Sequence, residues 1–212
     1  MRETSPSTRG GRATATRTRP PARWRVVDIV VASVLAVAIG VIFWAWGLAW
    51  SSIETPLKAL LPGVQSFAEG VWLIGGVLGG LVIRKPGAAL YVELVAATVS
   101  ALIGSQWGLL TLASGLVQGI GAEIVFAILL YRVWTLPIAW LAGAGTGVGL
   151  AVFELFAYYP GSSASFAAVY FVSAVLGGAL IAGTVSWWLT RALAASGALS
   201  RFASGRDTAR LV

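Results

Sequence analysis

The sequence has 212 residues, of which 58% are hydrophobic and 11% are charged, and its mean hydropathy of +0.84 excludes an ordinary water-soluble globular domain. Cysteine and histidine are absent, which excludes disulfides and thiolate metal sites and removes the commonest neutral-pH general base, so we predict no metal, cofactor or catalytic residue. The net charge of +7 lies at the chain ends and in short turns, which indicates anionic lipid headgroups rather than nucleic acid as the partner of these cations.

The predicted elements begin with a basic tail and continue with six apolar segments. Residues 1–23 are rich in Arg, Thr, Ser, Gly and Pro, which predicts a disordered N-terminal tail. The apolar segments that follow are long enough, as helices, to cross a hydrocarbon core of about 30 Å. The predicted spans are 26–50, 67–83, 88–104, 109–131, 136–157 and 166–190. We therefore predict an all-α, polytopic membrane protein with a six-helix domain at 24–192 and a basic C-terminal tail at 193–212.

The distribution of cations predicts how these spans are oriented. If the N-terminus is cytoplasmic, only Lys58 among the 15 Lys and Arg residues falls on the outer side. Cytoplasmic loops retain Lys and Arg, so both termini are predicted to lie in the cytoplasm. The membrane is predicted to be the cell membrane. The segment Arg84-Lys85-Pro86-Gly87 then forms a tight cytoplasmic turn, because Pro and Gly interrupt the helix. Membrane topology alone would also explain its two cations.

Several acids fall within or beside the spans, where an unpaired carboxylate is costly. In the predicted orientation Glu54, Glu69 and Glu154 come near the outer leaflet, among aromatic and amide side chains. Such groups suit a small, flat, nitrogen-rich or cationic ligand, because rings stack on it and acids accept its N–H groups or neutralise its charge. An aromatic belt with exposed acids is the alternative interpretation. The predicted contact residues are Glu69, Trp72, Gln106, Trp107, Gln118, Glu154 and Tyr158, followed by Trp46 and Glu54.

Two further acids, Glu93 and Glu123, lie deeper and at similar depth on adjacent antiparallel spans. We interpret them as structural or conformational residues that hydrogen-bond each other or nearby backbone. Alternatively, they form an ion or proton relay, which would make the chain an autonomous cation-coupled or proton-coupled secondary transporter or channel. A membrane-assembly scaffold that binds no small ligand is a third possibility.

Small residues at four-residue spacing allow membrane helices to approach each other closely. The stripe of Ala32, Ala36 and Gly40 in the first span is our candidate for docking a partner helix. The sequence has no GxxxxGKS phosphate loop and no HExxH motif, so ATP hydrolysis is expected in separate subunits rather than in this chain.

Two segments carry a family resemblance: EGVWLIGGVLGGLVIRKPGAALYVELVAATVSALIGSQWG at 69–108 and GLVQGIGAEIVFAILLYR at 115–132. They resemble the YkoE-type substrate-binding, or S, components of energy-coupling-factor (ECF) transporters. In that family a tract of the form W-(aliphatic)-RKPGAA-x-x-x-E-(aliphatic)-G-x-x-x-G precedes G-x-x-Q-G-x-G-A-E-x-x-F. The matching positions are Trp72, Arg84 to Ala89, Glu93, Gly104, Gly108, Gly115, Gln118, Gly119, Gly121, Ala122, Glu123 and Phe126.

The resemblance implies a six-helix, non-catalytic protein that captures thiamine or its hydroxymethylpyrimidine precursor from outside. It also implies partners, namely a transmembrane coupling subunit and two cytoplasmic ATPases that drive release inward. On this basis the stripe of the first helix would dock on the coupling subunit. Thiamine has an aminopyrimidine and a thiazolium cation, which match the acidic and aromatic outer site, whereas the neutral precursor keeps only the pyrimidine contacts.

Overall fold

The computed structural model describes residues 23–208, and the predicted tail at 1–22 lies outside the described residues, as do residues 209–212. In chain order the helices are α1 (Val26–Leu60), a 3-10 helix (Val64–Leu73), α2 (Ile74–Ile83), α3 (Ala88–Ile103), α4 (Leu110–Ile128), α5 (Leu136–Ala157), α6 (Ala164–Gly177), a π-helical segment (Gly178–Gly183), α7 (Thr184–Ala195) and α8 (Ala203–Thr208).

These elements form six apolar rods, because the 3-10 helix runs directly into α2 and the π-helical segment joins α6 to α7. Five rods are long and apolar enough to cross a membrane, and α3 is a shorter apolar helix of 16 residues. The predicted all-α membrane fold is therefore confirmed, while its orientation stays a prediction. The first rod is longer than the predicted span at 26–50, because the helix continues through Pro56 to Leu60. That extension adds about 15 Å at 1.5 Å per residue.

The second rod lies at the centre of the bundle, since every residue of α2 is buried. Its glycines allow neighbouring helices to come close. A Cβ on Gly79 would lie 2.6 Å from the Cβ of Val92 in α3, and a Cβ on Gly80 would lie 2.2 Å from the ring of Phe126 in α4. Close packing of this kind stabilises helix pairs in lipid, where the hydrophobic effect between helices is weak.

The small-residue stripe of α1 faces inward, which corrects the prediction that it docks a partner. Ala32 and Ala36 are fully buried, and a Cβ on Gly40 would lie 2.7 Å from the carbonyl oxygen of Ala96. The small side chains shorten the distance between α1 and α3, so the stripe is used for packing inside the bundle. The outward face of α1 carries larger apolar side chains such as Val34, which is 65% exposed.

The predicted turn at 84–87 connects α2 to α3 and is tied to the start of α1 by an ion pair. Gly87 has a φ of 84°, in the left-handed region that favours glycine. Lys85 Nζ lies 2.5 Å from Asp28 Oδ2, and Asp28 also accepts a hydrogen bond of 2.8 Å from the guanidinium of Arg25. Asp28 is fully buried and Lys85 nearly so. Lys85 thus contributes an interhelical contact in addition to any effect on topology.

The other two residues of the turn contact aromatic side chains. The carbonyl oxygen of Pro86 accepts a hydrogen bond of 2.9 Å from Trp24 Nε1. The guanidinium of Arg84 lies 5.2 Å from the ring centroid of Trp134, which is within the range of a cation–π interaction. The turn is therefore held from both the α1 side and the α4–α5 side.

The described part of the predicted C-terminal tail packs on the bundle. Helix α7 continues to Ala195, and the side chains of Leu199 and Phe202 beyond it are buried. Ser204 Oγ donates a hydrogen bond of 2.9 Å to the carbonyl oxygen of Val82. These residues therefore help to bury the end of α2, where Val82 and Ile83 have almost no exposed surface.

Candidate functional site

A chamber of about 480 Å³, counted with its open mouth, lies at the end of the bundle opposite the turn at 84–87. It is enclosed by the second half of α1, the end of the 3-10 helix, α3 from Glu93 onward, the loop between α3 and α4, the first half of α4 and the end of α5. Successive rods run antiparallel, so the ends of α1, α3 and α5 lie at the same end of the bundle as the start of α4. The lining residues are Phe43, Trp72, Glu93, Ala97, Ser100, Ser105, Trp107, Thr111, Ser114, Gln118, Leu150, Glu154 and Tyr158.

One wall of the chamber is aromatic and is held in place by edge-to-face contacts. The ring of Trp72 lies 4.9 Å from that of Trp50 and 5.1 Å from that of Trp107, at interplanar angles of 63° and 84°. Trp72 Nε1 donates a hydrogen bond of 2.9 Å to the carbonyl oxygen of Phe43. Because the indole N–H is already satisfied, Trp72 offers the chamber an aromatic ring surface rather than a hydrogen-bond donor.

The wall formed by α4 and the loop before it is polar. Gln118 Nε2 donates a hydrogen bond of 2.6 Å to Ser114 Oγ, and the hydroxyl oxygens of Ser105 and Thr111 lie 3.0 Å apart. Thr111, Ser114 and Gln118 share one face of α4, since they are spaced by three and four residues. The wall presents amide and hydroxyl groups that can donate to ring nitrogens or accept from amino groups.

At a third wall, formed by the end of α5, two acids share one tyrosine. Tyr170 Oη on α6 is 2.8 Å from Glu69 Oε2 on the 3-10 helix and also hydrogen-bonds Glu154 Oε2 on α5. A phenol has one proton, so it donates to one carboxylate, and the second contact requires a carboxyl group that carries its own proton. Glu69 is buried behind the wall and Glu154 lines the chamber. Because a charge is less costly near the open chamber, we assign the proton to Glu69 and the charge to Glu154.

The two deep acids make separate contacts and do not hydrogen-bond each other. Glu93 lines the chamber and accepts a hydrogen bond from the backbone N–H of Gly76 in the first turn of α2. Glu123 lies at the other end of α3, where it accepts from Gly87 N at 2.6 Å and from Ala89 N at 3.0 Å. The Tyr131 hydroxyl also donates to it at 2.6 Å. Burial and this hydrogen bond raise the pKa of Tyr131, which keeps its phenol a donor.

Comparisons with known proteins identify the family. Residues 27–149 match the family model described as the permease component of an ABC-type cobalt transport system. The chain is 33% identical over 186 residues to YkoE of Bacillus subtilis (strain 168), which is named as an HMP/thiamine permease protein, and the match covers 87% of this chain and 92% of that one. The chain belongs to the YkoE-type ECF S components. A crystal structure of an S-component of an ECF transporter superposes with a TM-score of 0.82 at 30% identity, and covers 89% of this chain and 94% of that one.

This S component is thus a substrate-specific, non-catalytic subunit of a membrane transporter. Several of the predicted contact residues of the S component line the chamber, namely Trp72, Trp107, Gln118, Glu154 and Tyr158. The other predicted contact residues lie elsewhere. Glu69 is behind the wall, and Gln106 lines a neighbouring cleft near Gly47. Trp46 lines neither space, and Glu54 forms an exposed ion pair of 2.7 Å with Lys58.

Sequence reasoning did not assign several residues of the chamber in the S component, and helical spacing could have found some of them. Ala97 and Ser100 follow Glu93 at four and seven residues, so they lie on the same face of α3. Tyr170 was missed for a different reason. It lies in an apolar run on α6, where a tyrosine resembles a membrane-interface anchor, and only the folded chain brings it to the two acids.

Proposed function

We propose that this S component binds thiamine or its hydroxymethylpyrimidine precursor in the chamber and delivers it through a transporter that contains a transmembrane coupling subunit and two cytoplasmic ATPases. The observation that carries the proposal is the chamber itself, which the Trp72 ring lines together with the acids Glu93 and Glu154 and the amide of Gln118. The name of the relative YkoE supports the choice of substrate. By the cation distribution, the chamber opens to the outside.

The chemistry of the lining favours an organic heterocycle over a metal ion as cargo, although the matching family model is described by cobalt transport. The chain has no His and no Cys, and within residues 23–208 no group of three or more Asp and Glu side chains could hold a metal ion together. Aromatic faces, single carboxylates and an amide instead match a flat ring with N–H donors and a positive charge.

The first experiment is to identify the natural ligand. The protein is purified without added ligand, and any small molecule that accompanies it is identified by mass spectrometry. Thiamine or hydroxymethylpyrimidine is expected. Recovery of a different vitamin would contradict the substrate assignment and leave the transporter class in place.

Replacing Trp72 by alanine tests the aromatic wall. Loss of one stacking face costs about 1–3 kcal/mol per stacked base, so Trp72→Ala should weaken thiamine binding roughly 10-fold or more in calorimetric titration. Trp72→Phe should retain most of the affinity, because it keeps a ring. Trp188→Ala is the matched control, since Trp188 is 61% exposed on α7 and does not line the chamber. Equal affinities for Trp72→Ala and Trp188→Ala would exclude the proposed stacking site.

An assay in vesicles separates this function from an autonomous transporter that uses Glu93 and Glu123. Vesicles that contain this chain alone should transport neither thiamine nor protons, because release of the ligand is expected to need the partner ATPases. The contacts of Glu123 support this expectation, since its carboxylate oxygens are used to bind the start of α3 and Tyr131. Flux that Glu123→Gln abolishes would instead support the autonomous transporter.

A further inference from the structure

The deepest polar group in the chamber is Glu93, and one of its oxygens lacks a hydrogen-bond partner. The residue has no exposed surface and lies at the chamber wall. Its Oε2 accepts from the N–H of Gly76, whereas Oε1 is buried and contacts no donor within residues 23–208. A buried acceptor without a partner is unfavourable, so a protein retains one where something else supplies the donor.

The surroundings of Glu93 hold its carboxyl group in place. A Cβ on Gly75 would lie 2.8 Å from Oε2, so a glycine at that position leaves the space that the carboxyl occupies. Arg25 and Lys85 form ion pairs with Asp28, and Lys58 forms one with Glu54, whereas Glu93 forms none with a residue of 23–208. A residue with a purely structural role would be expected to use both oxygens, as Glu123 does with the start of α3 and Tyr131.

We propose that Glu93 is a ligand-binding residue whose Oε1 accepts the exocyclic amino group of the pyrimidine. The inference rests on the proposed function, and it adds an orientation for the ligand. The amino-bearing ring lies deepest, against Glu93, and any positively charged ring lies nearer the mouth, beside Glu154. Thiamine and its precursor share the aminopyrimidine, so both depend on Glu93, whereas the contribution of Glu154 depends on the charge that thiamine alone carries.

The substitution Glu93→Gln tests this contact, because it can replace the unpaired atom Oε1 and keep an oxygen at the position of Oε2. The glutamine oxygen can still accept from Gly76 N–H, and its amide nitrogen replaces Oε1 and presents donors to the ligand amino group. We expect affinity for both thiamine and hydroxymethylpyrimidine to fall about 10-fold to 100-fold, because an oxygen that accepts from the amino group is replaced by an amide that can only donate. An analogue in which oxygen replaces the amino group should show the reverse preference and bind Glu93→Gln more tightly than wild type.

Glu123→Gln is the matched control, because it makes the same change at the other deep acid. It should leave both affinities within about 3-fold of wild type and should lower the melting temperature of the ligand-free protein, since it removes acceptors for α3 and Tyr131. Glu93→Gln should not lower the ligand-free melting temperature, because it replaces an unpaired buried acid. If Glu93 instead has a structural role, Glu93→Gln should lower the melting temperature of the ligand-free protein.

The outcomes separate the inference from the proposed function. Wild-type binding with unchanged affinity in Glu93→Gln would overturn the inference and keep the proposed function. A ligand-free melting temperature that falls in Glu93→Gln as it does in Glu123→Gln would also overturn it. If wild type binds neither compound, the proposed function fails, and the melting temperatures still decide whether Glu93 is a structural residue.

Discussion

Glu154→Gln should weaken thiamine binding about 10-fold to 100-fold, the loss expected for a charge-assisted contact of 1.5–3 kcal/mol, and should weaken hydroxymethylpyrimidine binding much less. The reason is that Glu154 lines the chamber and, in our assignment, carries the single negative charge of the pair it forms with Glu69. Thiamine has a thiazolium cation that this charge attracts, whereas the precursor is neutral. Calorimetric titration of both compounds into the wild type and the variant measures the difference.

Glu69→Gln is the matched control, because it alters the other acid on the same tyrosine. If Glu69 is protonated, its hydroxyl donates to Tyr170, and a glutamine amide can donate in the same way. Thiamine affinity should then stay within about 3-fold of wild type, a change below 1 kcal/mol. The same substitution at two acids that share a hydroxyl therefore gives opposite results. A larger loss in Glu69→Gln than in Glu154→Gln would reverse the assignment of the charge.

Infrared spectroscopy tests the same assignment without a ligand. At neutral pH the ligand-free wild type should show the carbonyl stretch of a protonated carboxylic acid, because one acid beside Tyr170 must carry a proton. The contribution from this pair should disappear in Glu69→Gln, because the amide then donates to Tyr170 and Glu154 keeps its charge. The charged and titratable groups nearby are Glu54, Lys58, Tyr158 and Tyr159, and none is altered by this substitution.

The positions of the helices could be predicted from the sequence because apolar length alone determines which segments can cross a membrane. The 3-10 helix in the second rod and the π-helical segment in the last rod could not be predicted in this way. The rod that contains Gly177 turns π-helical where a Cβ on that residue would lie 2.2 Å from the carbonyl oxygen of Phe67, so the local geometry coincides with a close contact to the 3-10 helix. Such a contact joins residues that are far apart in sequence, and no local pattern encodes it.

The direction of a side chain was the weakest part of the sequence analysis, for a related reason. Both faces of α1 are apolar, so hydrophobic periodicity did not distinguish the stripe at Ala36 from the face that carries Val34. Likewise, Glu69 and Trp72 were predicted to contact the ligand together, but only Trp72 lines the chamber. The composition of the site could be predicted because acids and rings are conspicuous in a membrane segment, whereas the shared proton of Tyr170 depends on three separate elements.

Lys85→Met should lower the free energy of unfolding by about 3 kcal/mol, at the lower end of the 3–5 kcal/mol typical when one partner of a buried ion pair is removed. The lower end applies because Asp28, which is fully buried, keeps its contact with Arg25 after Lys85 is lost. Thermal or denaturant unfolding in detergent measures the change. Asp28→Leu in the Lys85→Met background should recover part of the loss, since it removes the buried carboxylate and leaves only Arg25, whose side chain is 50% exposed, without its partner. The hydrogen bond from Arg25 N to Asp28 is lost in that variant.

Lys58→Met provides the control, because Lys58 forms a pair of similar length, 2.7 Å, with Glu54. Its side chain is 41% exposed, and exposed pairs contribute about 0–1 kcal/mol. The two substitutions remove the same chemical group from ion pairs that differ in burial, so a ratio of at least about 3 between their effects is expected. Equal effects would show that the turn at 84–87 does not depend on its contact with α1, and that Lys85 contributes only to membrane topology.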